Sequence, residues 1–329
     1  MAPFLTYDVG KLLNWYRDET PALDRLPYVE LDCFLEQPWE ALKRATDLKV
    51  AKTNAPFRLA SHPPDSLASH QDRLYDAFVK ENRVDKFDSK NIRLDHYDAQ
   101  EHKLTVRPCN YSDGLRSNYA LDWHGKFSLR SLLAEDYGSR LPPLDDLRLS
   151  NALGLAVVVW SRTKDGDMLP YLPKRADAGL AVFPGGLFHC TASGNAEWKA
   201  DADTFDRMFT ADICQELDEE VGLSRADLEW IVPVALCREF LRGGKPQLFF
   251  AARANIGAEE LARKRRAAIE RQIVAGRQEV LDECLPVESL EQVYRDLARC
   301  GTIEAFANMC YAQRCAESAG RAGSLSLER

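Results

Sequence analysis

A dense group of carboxylates marks the segment from residue 214 to residue 223, which reads CQELDEEVGL. If residues 211–221 form a helix, Glu216, Glu219 and Glu220 share one side, because residues three and four apart are neighbours on a helix. Like charges at this spacing repel one another, and a bound divalent cation would offset the repulsion. Magnesium prefers oxygen ligands. The spacing therefore predicts a Mg²⁺ site, with Mn²⁺ as the other candidate ion.

The same helix carries an apolar side and a glycine stop. Ile213, Leu217 and Val221 follow the helical spacing opposite the glutamates and predict packing against a sheet. Gly222 suits a left-handed C-terminal cap, and Leu223 suits the hydrophobic contact that follows such a cap. A solvated acidic helix face ending at a glycine is the other interpretation, and it predicts no stabilisation by metal ions.

The segment QELDEEVGL, from Gln215 to Leu223, resembles the second half of the Nudix box, whose consensus is Arg-Glu-apolar-x-Glu-Glu-x-Gly-apolar. Upstream, FPGGLF at 183–188 resembles the glycine pair that precedes this box. The resemblance spans about residues 149–284. It implies an α/β fold, a Nudix-like α/β/α sandwich with a mixed sheet.

The resemblance also implies roles for individual residues. Glu216, Glu219 and Glu220 would hold the catalytic divalent metal ions, and Gly185 and Gly186 would shape the loop that delivers the substrate's phosphates. The implied activity is hydrolysis of a pyrophosphate linkage in a nucleoside-diphosphate derivative, which releases a nucleoside monophosphate. A glutamate of the helix, or a loop acid such as Glu197, would take the proton of the attacking water.

Two departures from the family pattern bear on the site. Gln215 stands where the family has arginine, and it can donate a hydrogen bond but carries no charge. Gly186 and Gln215 are also separated by about 15 residues more than the family pattern expects, so residues 189–209 contain an insertion. Glu197 is the closest candidate for the family's upstream glutamate, with an exposed loop acid as the alternative. His189 is either a substrate contact or an ordinary loop histidine.

Positive side chains are expected near a site that binds phosphates. Candidates fall on strand ends and turns, with Arg175 and Arg238 assigned to substrate binding; the set is Lys174, Arg175, Arg238, Arg242 and Lys245. The segment RGGK at 242–245 predicts a hairpin turn, since it lacks the strand and helix of a phosphate-binding P-loop.

Three regions follow from the pattern of elements. Residues 1–148 are predicted to be an accessory α+β region of unknown role, with a helix over 67–86 and a β-hairpin at 91–123. Residues 149–285 are the Nudix-like domain, with strands up to about residue 256 and a helix over 258–283. Residues 286–329 are predicted to form helices broken at Gly301, followed by a frayed tail. Their apolar face would serve intramolecular packing or a homodimer.

Composition narrows the classes of function. The chain has 329 residues and a net charge of −8, which argues against general nucleic-acid binding but leaves a small-molecule nucleotide as substrate. The chain lacks a long apolar run and its start lacks a signal pattern, so we expect no membrane partner and a cytoplasmic location. Nine cysteines occur without a CxxC pair, so we expect buried thiols and no structural zinc site.

The sequence keeps two other classes of function open. The Nudix-like unit could be a non-catalytic nucleotide sensor or regulatory module, with residues 1–148 as the effector region; Gln215 and the insertion favour this alternative. The acidic helix could also belong to a scaffold and have no part in chemistry.

Overall fold

A computed structural model describes residues 9–21, 26–34, 48–60, 72, 76, 88–122, 128–176, 186–276, 280–287 and 289–326. Within these residues the strands are β1 Tyr28–Cys33, β2 Lys49–Lys52, β3 Lys90–Asp98, β4 Lys103–Asn110, β5 Gly154–Arg162, β6 Met168–Tyr171, β7 Pro173–Arg175, β8 Ala192–Asn195, β9 Leu228–Glu239, β10 Lys245–Gly257 and β11 Val280–Cys284. The α-helices are α1 Val9–Trp15, α2 Tyr111–Leu115, α3 Leu129–Tyr137, α4 Ala211–Val221, α5 Ala258–Val274, α6 Leu290–Cys300 and α7 Ile303–Ser326.

The main sheet is mixed, as the sequence predicts. Its order is β1-β9-β10-β5-β6, and β8 pairs with the first half of β5 on the same side as β6. The pair β10–β5 is parallel, whereas β9 runs antiparallel to both β1 and β10. Strand β5, GLAVVVWSR, is buried along nearly its whole length, which is typical of a central strand covered on both faces.

Helices cover both faces of this sheet. On one face, Ile213, Leu217 and Val221 of α4 join the core formed with Leu155 and Leu248. On the other face, α7 packs against β10 and β5, and α6 contacts α7 and joins the same core; this core includes Val293, Leu297, Ala305, Met309 and Tyr311. The apolar face of the C-terminal helices therefore packs within the chain, and the break at Gly301 is confirmed.

Residues before position 149 contribute to the main sheet and to a second one. Strand β1 pairs with β9, and the predicted hairpin is present as β3 and β4, which form a three-stranded sheet with β2. The side chain of Lys52 on β2 donates to the carbonyls of Lys199, Ala200 and Ala202 at 2.6–3.0 Å. The three regional limits stay predictions, and the helix over 67–86 lies outside the described residues apart from Asp72 and Asp76.

One predicted helix ends earlier in the structure, and one strand was not predicted. The helix expected over 258–283 ends at Val274, and the chain returns as β11, which pairs with β7. Gly276, with φ of +68°, turns the chain between them. The insertion at 189–209 contains β8, whose four residues are too few and too small to give a recognisable alternation.

Among the described helices, none has an apolar stretch long enough to cross a bilayer.

Gly222 at the end of α4 tests how closely α4 approaches α5. Its φ is +73°, and a Cβ atom there would lie 2.7 Å from the Lys264 carbonyl oxygen. We expect Gly222→Ala to lower the free energy of unfolding by more than the roughly 1–2 kcal/mol of left-handed strain alone. Gly276→Ala is the control, because its φ is also positive and no atom of the described residues lies within 4 Å of the added Cβ position. Equal losses in urea denaturation would contradict the close approach.

Candidate functional site

Helix α4 is held firmly at the end that carries Glu219 and Glu220. The Gly222 and Leu223 amides donate to the carbonyls of Asp218 and Leu217, both at 3.0 Å, closing the helix in a left-handed cap. From α5, Gln272 Nε2 donates to the Glu219 carbonyl at 2.7 Å. These bonds satisfy carbonyls that the helix itself leaves open.

Two of the three predicted metal ligands meet strand β8. The Glu220 side chain is only 4% exposed, and its Oε1 accepts from the Ser193 amide at 3.5 Å. Glu216, half-buried and one turn earlier, lies over Gly194, where any Cβ atom would overlap its carboxylate. A side chain larger than hydrogen at position 194 would therefore displace Glu216. Glu220 belongs to the buried side of the helix, so the binding and packing faces adjoin.

Glu219, the third predicted ligand, is exposed. Gln215 Nε2 donates to Glu219 Oε1 at 2.8 Å, so this glutamine contacts the carboxylate directly. Glu219 is thus at the solvent margin of the pair formed by Glu216 and Glu220.

Glu197 is not brought to Glu220. Its backbone amide donates to Asp212 Oδ2 at 2.6 Å, near the start of α4, and its side chain is exposed. Asp212 and Glu220 are eight residues apart, which corresponds to about 12 Å along a helix axis. A direct role for Glu197 beside Glu220 would need a substantial rearrangement.

The glycine-pair loop is described in part. Gly186 has a φ of +77°, and its amide donates to the Arg175 carbonyl at 3.0 Å. Gly185 lies outside the described residues. Arg175 is half-buried on β7, and its charge, after burial itself, contributes to lowering the pKa of His189 well below the ordinary value. Its side chain is therefore close to the interior beneath the loop.

Arg238, assigned to substrate binding, is buried against the backbone. Its guanidinium donates to the carbonyls of Gly244 and Pro142, and burial lowers its pKa to about 10. It lies on β9, three strands from β8, or roughly 14 Å at the usual strand spacing. In this arrangement Arg238 stabilises the β9–β10 turn rather than facing α4.

Other charged groups are buried at the same end of the sheet. Arg242 pairs with Glu239 at 2.9 Å and packs over the Tyr119 ring, while Lys245 is 2% exposed and lies over Gly154. Burial raises the pKa of Glu304 on α7, and Arg242 opposes that rise. The predicted RGGK hairpin turn is confirmed, and its two basic residues belong to a buried network rather than to an open phosphate loop.

Sequence reasoning missed the residues that connect these groups. Ser193 bridges the two sides of β8, because its amide donates to Glu220 and its Oγ contacts His189 Nε2 at 2.9 Å. His189 Nδ1 contacts Thr302 Oγ1 at 2.6 Å, so this histidine is a buried contact to α7 and not a loop residue open to solvent. The polar pair Glu304 and Asn308, four apart in the otherwise apolar segment IEAFANMCYA, was the available signal.

No protein-family model matches this chain, and no curated protein matches it.

Gly194→Ala is expected to displace the Glu216 side chain without weakening the hydrophobic core. Its backbone has no positive φ, and the Glu216 carboxylate is half-buried and able to turn away, so we expect the free energy of unfolding to change by less than about 1 kcal/mol. Leu217→Ala, on the same helix, removes a fully buried side chain and should cost about 2–5 kcal/mol. Denaturant unfolding of both variants measures the difference. A loss for Gly194→Ala as large as for Leu217→Ala would mean that Glu216 is rigidly fixed.

Proposed function

We propose that this protein hydrolyses a pyrophosphate linkage in a nucleoside-diphosphate derivative, using Mg²⁺ or Mn²⁺ and releasing a nucleoside monophosphate and a phosphorylated remainder. The observation that carries the proposal is the meeting of Glu216 and Glu220 with β8 at Gly194 and Ser193. The resemblance of residues 215–223 to the Nudix box supports the same reaction, as does the mixed sheet with helices on both faces.

The residue types suit a hard divalent cation, but in the described part of the chain the three carboxylates do not gather within 4.8 Å of one another, so ion binding would have to draw them together. Glu216 and Glu220 offer carboxylate oxygens one helical turn apart, and Glu219 offers a third at the solvent margin. When bound, the ion would neutralise charge on the diphosphate and lower the pKa of a coordinated water.

The exposure of each residue indicates whether it would hold the ion, accept the proton or bind phosphate. Glu220, buried and bonded to the Ser193 amide, is suited to a fixed ligand position. Glu216 is half-buried and can accept the proton of the attacking water while keeping contact with solvent. Gly186, at a positive φ beside β7, allows the turn of the loop that would bind a phosphate group. Arg175, the last residue of β7, supplies positive charge beside the Gly186 loop.

A mass-spectrometric turnover screen tests the reaction. Nucleotide sugars, ADP-ribose, dinucleotides and nucleoside triphosphates are each incubated with Mg²⁺ or Mn²⁺, and release of nucleoside monophosphate is recorded. We expect Glu216→Gln and Glu220→Gln to lose about 100-fold or more in rate while staying folded, because each loses a charged oxygen ligand or base. Gly194→Ala should lose activity comparably although it alters no ionisable group.

Glu197→Gln is the matched control. Glu197 lies beside Asp212 at the start of α4, whereas Glu220 is at the end of this helix, so the Glu197 carboxylate should be dispensable. Turnover by Glu220→Gln at the wild-type rate would refute the proposed site. Equal losses in Glu197→Gln and Glu220→Gln would instead move the chemistry toward the start of α4.

A nucleotide sensor is the second candidate, favoured by the hydrogen bond from Gln215 to Glu219. This bond engages a carboxylate oxygen that a metal ion would otherwise use, and Gln215 adds no charge. A sensor predicts that one of the screened nucleotides raises the melting temperature and none is cleaved. Gln215→Arg would then be the variant to test for gain of turnover.

A further inference from the structure

A second group of metal-ligating side chains lies on the other side of β8 from α4. The imidazole of His189, the thiol of Cys190 and the carboxylate of Glu304 place one ligand atom each within 4.8 Å of one another. All three are at most 5% exposed. His189 and Cys190 lead into β8, and Glu304 is in the first turn of α7.

Asn308 adds an independent observation. It is fully buried, four residues after Glu304 on α7, and its Oδ1 has no hydrogen-bond partner in the described part of the chain. Its Nδ2 lies 3.7 Å from Cys190 Sγ. The amide oxygen and nitrogen are interchanged by a half-turn of the side chain, which would bring the carbonyl oxygen to the cysteine. A buried carbonyl without a partner is costly, and a ligand at this point would remove the cost.

We propose that His189, Cys190, Glu304 and Asn308, hereafter the HCEN cluster, bind a structural zinc ion. Zinc accepts sulfur, imidazole nitrogen and carboxylate oxygen together in tetrahedral sites, whereas magnesium and calcium select oxygen. One thiolate and one carboxylate balance the two positive charges of the ion, so the ion with its ligands is neutral, and Arg175 and Arg242 add positive charge outside this set. Four protein ligands close the coordination shell, as structural sites require.

The distances suit such an ion after a small movement. Zinc bonds of about 2.0–2.3 Å at tetrahedral angles separate the ligand atoms by about 3.3–3.7 Å. The ligand atoms of His189, Cys190 and Glu304, with separations up to 4.8 Å, therefore need a contraction of about 1 Å. The 3.7 Å between Asn308 and Cys190 already matches.

The surrounding groups can orient the ligands. His189 Nδ1 contacts Thr302 Oγ1 and His189 Nε2 contacts Ser193 Oγ, so whichever nitrogen turns to the ion, the other retains a hydroxyl partner. Gln247 Nε2 donates to Glu304 Oε1 at 3.0 Å and fixes that carboxylate. Outer hydrogen bonds of this kind set the orientation of zinc ligands in proteins.

The site would join β8 to α7. The sequence predicted no structural zinc site because it has no CxxC pair. This cluster instead uses a single cysteine with three other residue types. The zinc site does not rest on the proposed hydrolase function, although Ser193 contacts both His189 and Glu220.

Metal analysis of the purified full-length chain tests the inference. Protein produced with added zinc, then dialysed, is expected to hold about one zinc per chain by plasma mass spectrometry. We expect Cys190→Ser and Glu304→Gln to lower the bound zinc by at least about 10-fold. Cys237→Ser is the matched control, because Cys237 is equally buried but contacts Tyr311 rather than the HCEN cluster, and it should keep the metal.

Cobalt substitution detects thiolate coordination directly in the wild-type protein. Wild-type protein refolded with Co²⁺ should show a thiolate-to-cobalt charge-transfer band, which Asn308→Ala weakens and Cys190→Ser abolishes. Wild type that holds no zinc after refolding with it, and shows no cobalt band, would overturn the proposal. Equal zinc in wild type and Cys190→Ser would overturn it as well. Glu216→Gln should keep its zinc whether or not it loses turnover, so failure of either proposal is separately visible.

Discussion

Antiparallel pairing of β8 with the first half of β5 controls the geometry of the whole site. The pairing places Gly194 opposite Leu155, and therefore under α4, with Ser193 facing the opposite side. A slip of one residue would exchange these faces, because side chains alternate along a strand. Glu216 would then meet a side chain instead of a glycine, and His189 would lose the Ser193 hydroxyl. The four residues of β8 thus determine the surroundings of both Glu216 and His189.

Burial of charge is the second constraint on this end of the sheet. Glu220, Glu239 and Glu304 are nearly inaccessible, and so are Arg242 and Lys245. Charges in such places persist only when they are paired or hydrogen-bonded, since desolvation strongly disfavours them. The Arg242–Glu239 ion pair and the Gln247–Glu304 hydrogen bond meet that requirement in part.

The sequence predicted elements well where local chemistry decides the conformation. The spacing of Ile213, Leu217 and Val221, with Gly222 after them, gave α4 at its observed bounds, because the apolar stripe and the left-handed cap are both local signals. The RGGK hairpin turn followed from the same kind of local rule. The mixed α/β content of the chain was also predicted.

Features decided by distant contacts were not predictable in the same way. The glycine at 194 is needed because Glu216 comes from another element, and Arg238 is engaged by carbonyls at 142 and 244 that no spacing rule connects. The helix ends at Val274, earlier than predicted, because the chain after it forms β11 and pairs with the distant strand β7. The lesson is that residue type suggested which side chains could bind, whereas the sheet register decided which of them meet.

Strand β1 closes one side of the main sheet, and this has a consequence for how the chain tolerates shortening. It is brief, contains a bulge between Glu30 and Asp32, and carries those two acids on an edge. Such features discourage pairing with another molecule. Strand β1 pairs with residues 235–239 of β9, so without it this part of the largely apolar strand would present its unpaired amides and carbonyls to neighbouring chains. Strand β1 therefore covers part of this edge of the main sheet, and a shortened chain that lacks it would carry that part uncovered.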